Sequence, residues 1–228
     1  MPEIINYRLQ DSEALLVAVD SNREAMTAKG FTEIIYNEFL DAKENLRLKE
    51  LEQQNSVKEL EEMTMAQNEE ISAVGKLIKK VRDAARSAYG NDKDDLKLFK
   101  IGEAIPRSVK KLRPMCEYTI SLVGEKSEVL LSNGLTQEDV DELNASLGRL
   151  ISTDAAQENA KKLKTAATEA RDEALKELKD KMYRIRSFAK VCFSGDKEVL
   201  LQFKPIAKGS GGKSKEAEET QTGEQSST

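Results

Sequence analysis

The sequence predicts an all-α protein, an elongated antiparallel helical bundle built from two pseudo-repeats, each a shorter helix followed by a long one. Three observations predict it. Charged residues make up 34% of the chain and aromatic residues only 5%, with no Trp, a balance that suits long amphipathic helices better than a sheet-built core. Residues 6–105 and 117–204 contain no proline, the residue that removes a backbone donor and clashes with the preceding helical turn. Finally, sliding the chain on itself by 104 residues aligns three segments without a gap.

The clearest aligned segment pairs residues 81–101 with 185–205. Identical pairs are Arg82/Arg186, Ala85/Ala189, Asp92/Asp196, Lys93/Lys197, Leu96/Leu200, Phe99/Phe203 and Lys100/Lys204. A second segment pairs Gly30-Phe31-Thr32 with Gly134-Leu135-Thr136, and a weaker third includes Glu13/Glu117 and Val19/Val123. One offset serves all three, which chance matches would rarely do. The expected division is a first helical repeat over 1–104, a second over 105–207 packed with it, and a tail over 208–228. The tail is rich in Gly, Ser, Lys and Glu and has too little apolar surface to order itself.

Each copy is read in the same order. A first helix covers roughly residues 12–28, or 116–131 in the second copy. Gly30 and Gly134 then stand where a left-handed helix terminus favours glycine. Thr32 and Thr136 follow as N-caps, with Asp139 three residues after Thr136. From Thr32 to Tyr89, and from Thr136 to Phe193, apolar residues recur at 3–4 spacing, through Phe39, Ala42 and Leu46 in one copy and Ala174, Leu178 and Met182 in the other. Mid-segment this phase meets Lys49, Gln53 and Ser56. Two readings follow: an unbroken helix about 85 Å long at 1.5 Å per residue, or a hairpin turning near Ser56 and near Ala155. The equal lengths and the lack of a shared Gly-Pro or Asn-Gly signal favour the unbroken helix. Asp92 and Asp196 then cap a short turn whose Phe99 or Phe203 closes on the bundle end.

Few chemistries fit these residues. The chain has no histidine, which removes the usual general base near neutral pH and the commonest transition-metal ligand. Glu61-Glu62 and Glu69-Glu70 read as a solvated helix face, and Asp92-Lys93-Asp94-Asp95 lacks the Gly and distal Glu of a calcium loop. No enzyme activity, cofactor or metal is expected. Cys116 and Cys192 lack metal-ligand spacing and read as free thiols of a cytoplasmic protein. No signal peptide is visible, and no apolar run reaches the roughly 18 residues of a membrane span.

Charge is distributed unevenly. Residues 1–75 carry a balance of −9 and residues 76–114 a balance of +7. Lys79, Lys80, Arg82, Arg86, Arg107, Lys110, Lys111 and Arg113 are the candidate surface for an acidic partner. The competing reading is that these cations face the acidic half of the long helices, within the fold or across a homo-oligomer. Nucleic acid would use the same surface, but no stacking aromatics or groove-reading motif accompany it.

Gly134-Leu135-Thr136, Ala167-Thr168-Glu169-Ala170-Arg171-Asp172 and the segment from Phe193 to Phe203 together resemble a group of small bacterial all-α proteins. The resemblance covers roughly residues 135–203. It implies a helical bundle and no activity. The expected function is therefore a non-enzymatic structural or protein-interaction bundle, with a nucleic-acid-binding accessory protein using region 76–114 as the alternative.

Overall fold

The computed structural model describes residues 2–90 and 92–206, and every regular element in them is helical. In chain order these are α1 (Pro2–Ser21), α2 (Arg23–Thr27), α3 (Glu33–Tyr89), α4 (Lys93–Leu98), α5 (Val109–Glu125), α6 (Ser127–Leu131), α7 (Gln137–Cys192) and α8 (Lys197–Gln202). The chain is all-α. Both long segments are unbroken, α3 over 57 residues and α7 over 56, so neither turns back near Ser56 or Ala155. The sequence-predicted tail, 208–228, lies outside the described residues.

The first helix of each copy differs from its expected span. It starts earlier, at Pro2 or Val109, and breaks into two before its expected end. Pro114 lies inside α5. As the sixth residue of α5 it lies beyond the first turn and, lacking an N–H, forgoes the intrahelical bond to the Lys110 carbonyl. The breaks fall at Asn22 (φ −118°, ψ 15°) and Lys126 (φ −118°, ψ 20°), which are 104 residues apart and share one backbone conformation. After α2 and α6 the chain turns at Gly30 (φ 96°) and Gly134 (φ 100°), where a side chain would be strained. Phe31 N–H then reaches back to the Met26 carbonyl and Leu135 N–H to the Leu130 carbonyl, closing each helix end in the same way.

Helix starts follow the expected chemistry. Thr136 Oγ1 accepts from Asp139 N–H at 3.2 Å while Asp139 Oδ2 accepts from Thr136 N–H at 2.9 Å, a reciprocal capping box. Thr32 makes the weaker single bond, Oγ1 to Ile35 N–H at 3.4 Å. Asp92 accepts from Asp94 and Asp95 N–H, and Asp196 from Val199 N–H, so both carboxylates serve as caps.

Packing groups the chain into two compact units, each combining parts of both sequence copies. One contains residues 2–43 and 177–206. Its buried residues include Leu15, Val19, Met26, Phe39, Met182 and Ile185. Within it Phe31 meets Phe188 (centroids 5.5 Å apart) and Glu38 pairs with Lys181 at 2.8 Å, so the α3 and α7 segments run antiparallel. The other unit contains residues 44–176. Val74, Ile78, Val81, Leu112, Leu130, Leu143 and Leu150 lie in its core. Here too α3 and α7 are antiparallel: Lys80 pairs with Asp139, Glu70 with Arg149, and Glu50 faces Arg171. Among the described residues no helix is long and apolar enough to cross a membrane.

Candidate functional site

In the 44–176 unit, the α3–α7 seam keeps a 3–4 rhythm of burial, but through its middle the inward residues are polar. Ser56, Gln67, Gln157 and Arg171 are all buried. They are joined across the seam: Gln67 Nε2 donates to Asp154 Oδ1 at 2.8 Å, and Gln157 Nε2 to Thr64 Oγ1 at 3.3 Å. Glu50 and Arg171 face each other about four helical turns further along the seam. These contacts correspond under the 104-residue shift, since Glu50 maps to Asp154 and Arg171 to Gln67. In sequence, the polar run looked like an interruption of the apolar phase. The shift offered a signal there, because Gln53/Gln157 and Thr64/Thr168 are also identical pairs.

The candidate cations divide into three kinds. Lys80, Arg86 and Arg113 are exposed and bonded to Asp139, Asp83 and Glu117 respectively. Lys79, Arg107, Lys110 and Lys111 are exposed and make no ion pair among the described residues. Lys110 and Lys111 stand in the first turn of α5, where the helix dipole is unfavourable to positive charge and no acidic residue offsets them. Lys79 lies on α3, and Lys80 reaches toward α7, so the set does not form one continuous face of a single helix.

Arg82 belongs to neither exposed group, because its side chain is buried. Nε donates to the Phe99 carbonyl at 3.1 Å and Nη1 to the Glu103 carbonyl at 2.8 Å, fastening the segment after α4 onto α3. Burial lowers its pKa from the usual guanidinium value, with the Glu103 charge acting in the opposite sense. Tyr89 stacks on Phe99 beside it, centroids 5.9 Å apart at 29°.

The 2–43/177–206 unit holds the same clamp. Arg186 Nε donates to the Phe203 carbonyl at 2.9 Å, and Phe193 stacks on Phe203 at 5.9 Å and 25°. There the guanidinium also grips Asp11, Nη2 to Oδ1 at 2.7 Å, and Ile206 N–H donates to the same oxygen at 3.1 Å. Sequence alone marked Arg82 and Arg186 as equivalent, but gave no reason to join Arg186 to a carboxylate 175 residues away.

Among the described residues no group of three or more Cys, Asp or Glu is placed to hold a metal ion. Both cysteines are buried and free, and burial pushes the Cys116 thiol up to about 11, so its thiolate is scarce at neutral pH. The arrangement offers paired helices joined across their seam, two Arg-centred clamps and a scatter of exposed cations without an ion pair among the described residues.

No family model, no curated protein and no solved structure matches this chain.

Proposed function

We propose that this chain is a non-enzymatic helical scaffold that works by presenting fixed helix surfaces to another protein. The polar stitching of the α3–α7 seam carries this reading. Glu50, Thr64, Gln67, Asp154, Gln157 and Arg171 occupy inward positions where Leu or Ile would give more stability. Polar residues at such positions select one register and orientation out of many, the best-attested use of buried polar groups in paired helices. A fixed register presents the same outward residues each time. Leu48 and Leu51 on α3, and Ile151 and Leu163 on α7, are large apolar side chains exposed on those outward surfaces.

The test is site-specific photo-crosslinking in cells at Leu51 and Leu163, with exposed Lys58 as the comparison. A discrete crosslinked protein, shared by the apolar positions and weaker at Lys58, supports the reading. Only unmodified monomer at every position would overturn it. A second copy of the same chain is one admissible partner, and sedimentation of the purified protein distinguishes it.

Further features belong to the same proposal. The matched breaks, turns and clamps at a 104-residue spacing support an internal duplication, and the inward rhythm of α3 and α7 supports a coiled-coil pair. Two buried free thiols support a reducing, cytoplasmic setting.

A second reading rests on Lys79, Arg107, Lys110 and Lys111, four exposed cations without an ion pair among the described residues. These support contact with an acidic polymer such as nucleic acid. Fluorescence anisotropy with DNA and RNA decides it: binding at low salt that falls steeply with added salt favours this reading, and no binding at low salt removes it.

A further inference from the structure

The two arginine clamps share the Nε bond to the Phe99 or Phe203 carbonyl and the aromatic stack, but the remaining guanidinium nitrogens are met differently: Arg82 Nη1 donates to the Glu103 carbonyl, Arg186 Nη1 to Asp11 Oδ2. Arg186 closes on the buried carboxylate of Asp11. At the position equivalent to Asp11, Arg82 meets Met115, whose Sδ lies 3.9 Å from Nη2. Arg82 is as deeply enclosed as a core residue, 7% exposed, yet no carboxylate among the described residues hydrogen-bonds to it. We infer that the Arg82 pocket is a binding site for a small carboxylate supplied from outside the chain, seated where Asp11 sits against Arg186.

The lining of the pocket fits that class of ligand. Beside Arg82 it includes Lys100, Phe99, Met115, Tyr118 and Thr119, with two cations and no acidic residue among its lining side chains. The Tyr118 and Thr119 hydroxyls donate to the carbonyls of Leu98 and Met115, so recognition of an anion falls to Arg82 and Lys100. Lys100 takes a left-handed backbone conformation (φ 50°), and its ammonium lies over the Tyr118 ring, 4.8 Å from the centroid. Lys204, its equivalent, does not have a positive φ. The Met115 and Lys100 departures therefore fall in one pocket.

Carboxylate is favoured over larger anions by the Asp11 precedent and by space. With Met115 in place the pocket is too narrow for a water molecule, so the ligand enters as the thioether turns aside. Met115 lines the pocket as a buried residue, 8% exposed, and its unbranched side chain has the rotational freedom for this. Formate, acetate or the terminal carboxylate of a peptide would present the planar pair of oxygens that a guanidinium binds through two parallel bonds.

Thermal unfolding of the full chain tests the site, with acetate exchanged for chloride at constant ionic strength. Wild type should gain a few degrees in a saturable manner. Met115→Asp should raise Tm without acetate and abolish the acetate response, because the carboxylate is then built in. Met115→Ala should strengthen the response by opening the entry. A peptide with a free C-terminus, compared with its C-terminal amide, separates a protein-borne carboxylate from a small metabolite. No saturable acetate effect on wild type, an equal effect on Met115→Asp, or a lower Tm for Met115→Asp than for Met115→Ala would each overturn the inference.

Discussion

Arg171 and Glu50 face each other across the α3–α7 seam almost out of reach of water. Arg171 Nη1 lies 3.8 Å from Glu50 Oε2, and their side chains are 5% and 11% exposed. Glu50 Oε1 accepts from Gln54, whereas Oε2 takes no hydrogen bond among the described residues. Arg171 also binds Asp172 Oδ1 at 2.7 Å. The carboxylate thus depends on the nearby guanidinium more than the guanidinium depends on it.

That asymmetry gives the first prediction. Arg171→Met leaves the Glu50 charge buried without compensation and should cost about 3 kcal/mol in urea unfolding. Adding Glu50→Gln to that variant should recover most of the loss. Equal losses in the single and double variants would show that Arg171 does not act by compensating Glu50.

Asp11 makes the second case. Its carboxylate is wholly buried and receives Arg186 and the Ile206 N–H together. Asp11→Ala should destabilise by roughly 3–5 kcal/mol, the range for breaking a buried pair from one side. Hydrogen exchange should locate the loosening at α8 and the end of α7.

Gly134 and Gly148 should respond to alanine with opposite signs. A Cβ would meet nothing within 4 Å at either site, so only the backbone decides. Gly134 sits at φ 100°, where alanine is strained, and Gly134→Ala should lose about 1–2 kcal/mol. Gly148 lies inside α7, where alanine is the better helix former, and Gly148→Ala should gain up to about 1 kcal/mol. Tm measurements on both variants check the pair.

Asp139 carries a pH signature. The hydrogen bond from Lys80 is the main cause of its lowered pKa, followed by the bond from the Thr136 side chain. A depressed folded-state value means the carboxylate stabilises above its unfolded pKa, about 3.9, and that this contribution disappears as pH falls through the lower folded value. Asp139→Ala should therefore cost about 1 kcal/mol at neutral pH, as for a lost helix cap. The gap between variant and wild type should close in strongly acidic buffer.

Cys116 and Cys192 should be silent toward a thiol reagent in the native state at mildly alkaline pH. Both are buried and burial raises both pKa values, Cys116 to about 11. Both should react promptly in denaturant. Fast native labelling of either would show that its surroundings open readily.

The helices were legible because proline and glycine punctuate this chain so sparingly, and because Thr136 and Asp139 spell a cap over four residues. The seam was harder to read. Ser56, Gln67 and Gln157 are buried, yet a polar residue at an inward position resembles a solvated one until its partner on the other helix is known. The same limit placed Arg82 among surface cations: only the packing of Phe99 and Met115 removes it from water. The expected start at Cys116, the counterpart of Ser12 under the 104-residue shift, fell short: α5 begins at Val109 and runs through Pro114.

The make-up of the two compact units also sets an order of assembly. Residues 44–176 form a contiguous stretch, so that unit has all its parts as soon as α7 is mostly synthesised. The other unit joins residues 2–43 to residues 177–206, and α1 must wait for the end of α7 and for α8 before its buried face is covered. During translation α1 therefore emerges before α3 and α7 yet is among the last helices to be enclosed. Leu15 and Val19 stand open meanwhile, a window in which a nascent-chain chaperone would find an apolar target.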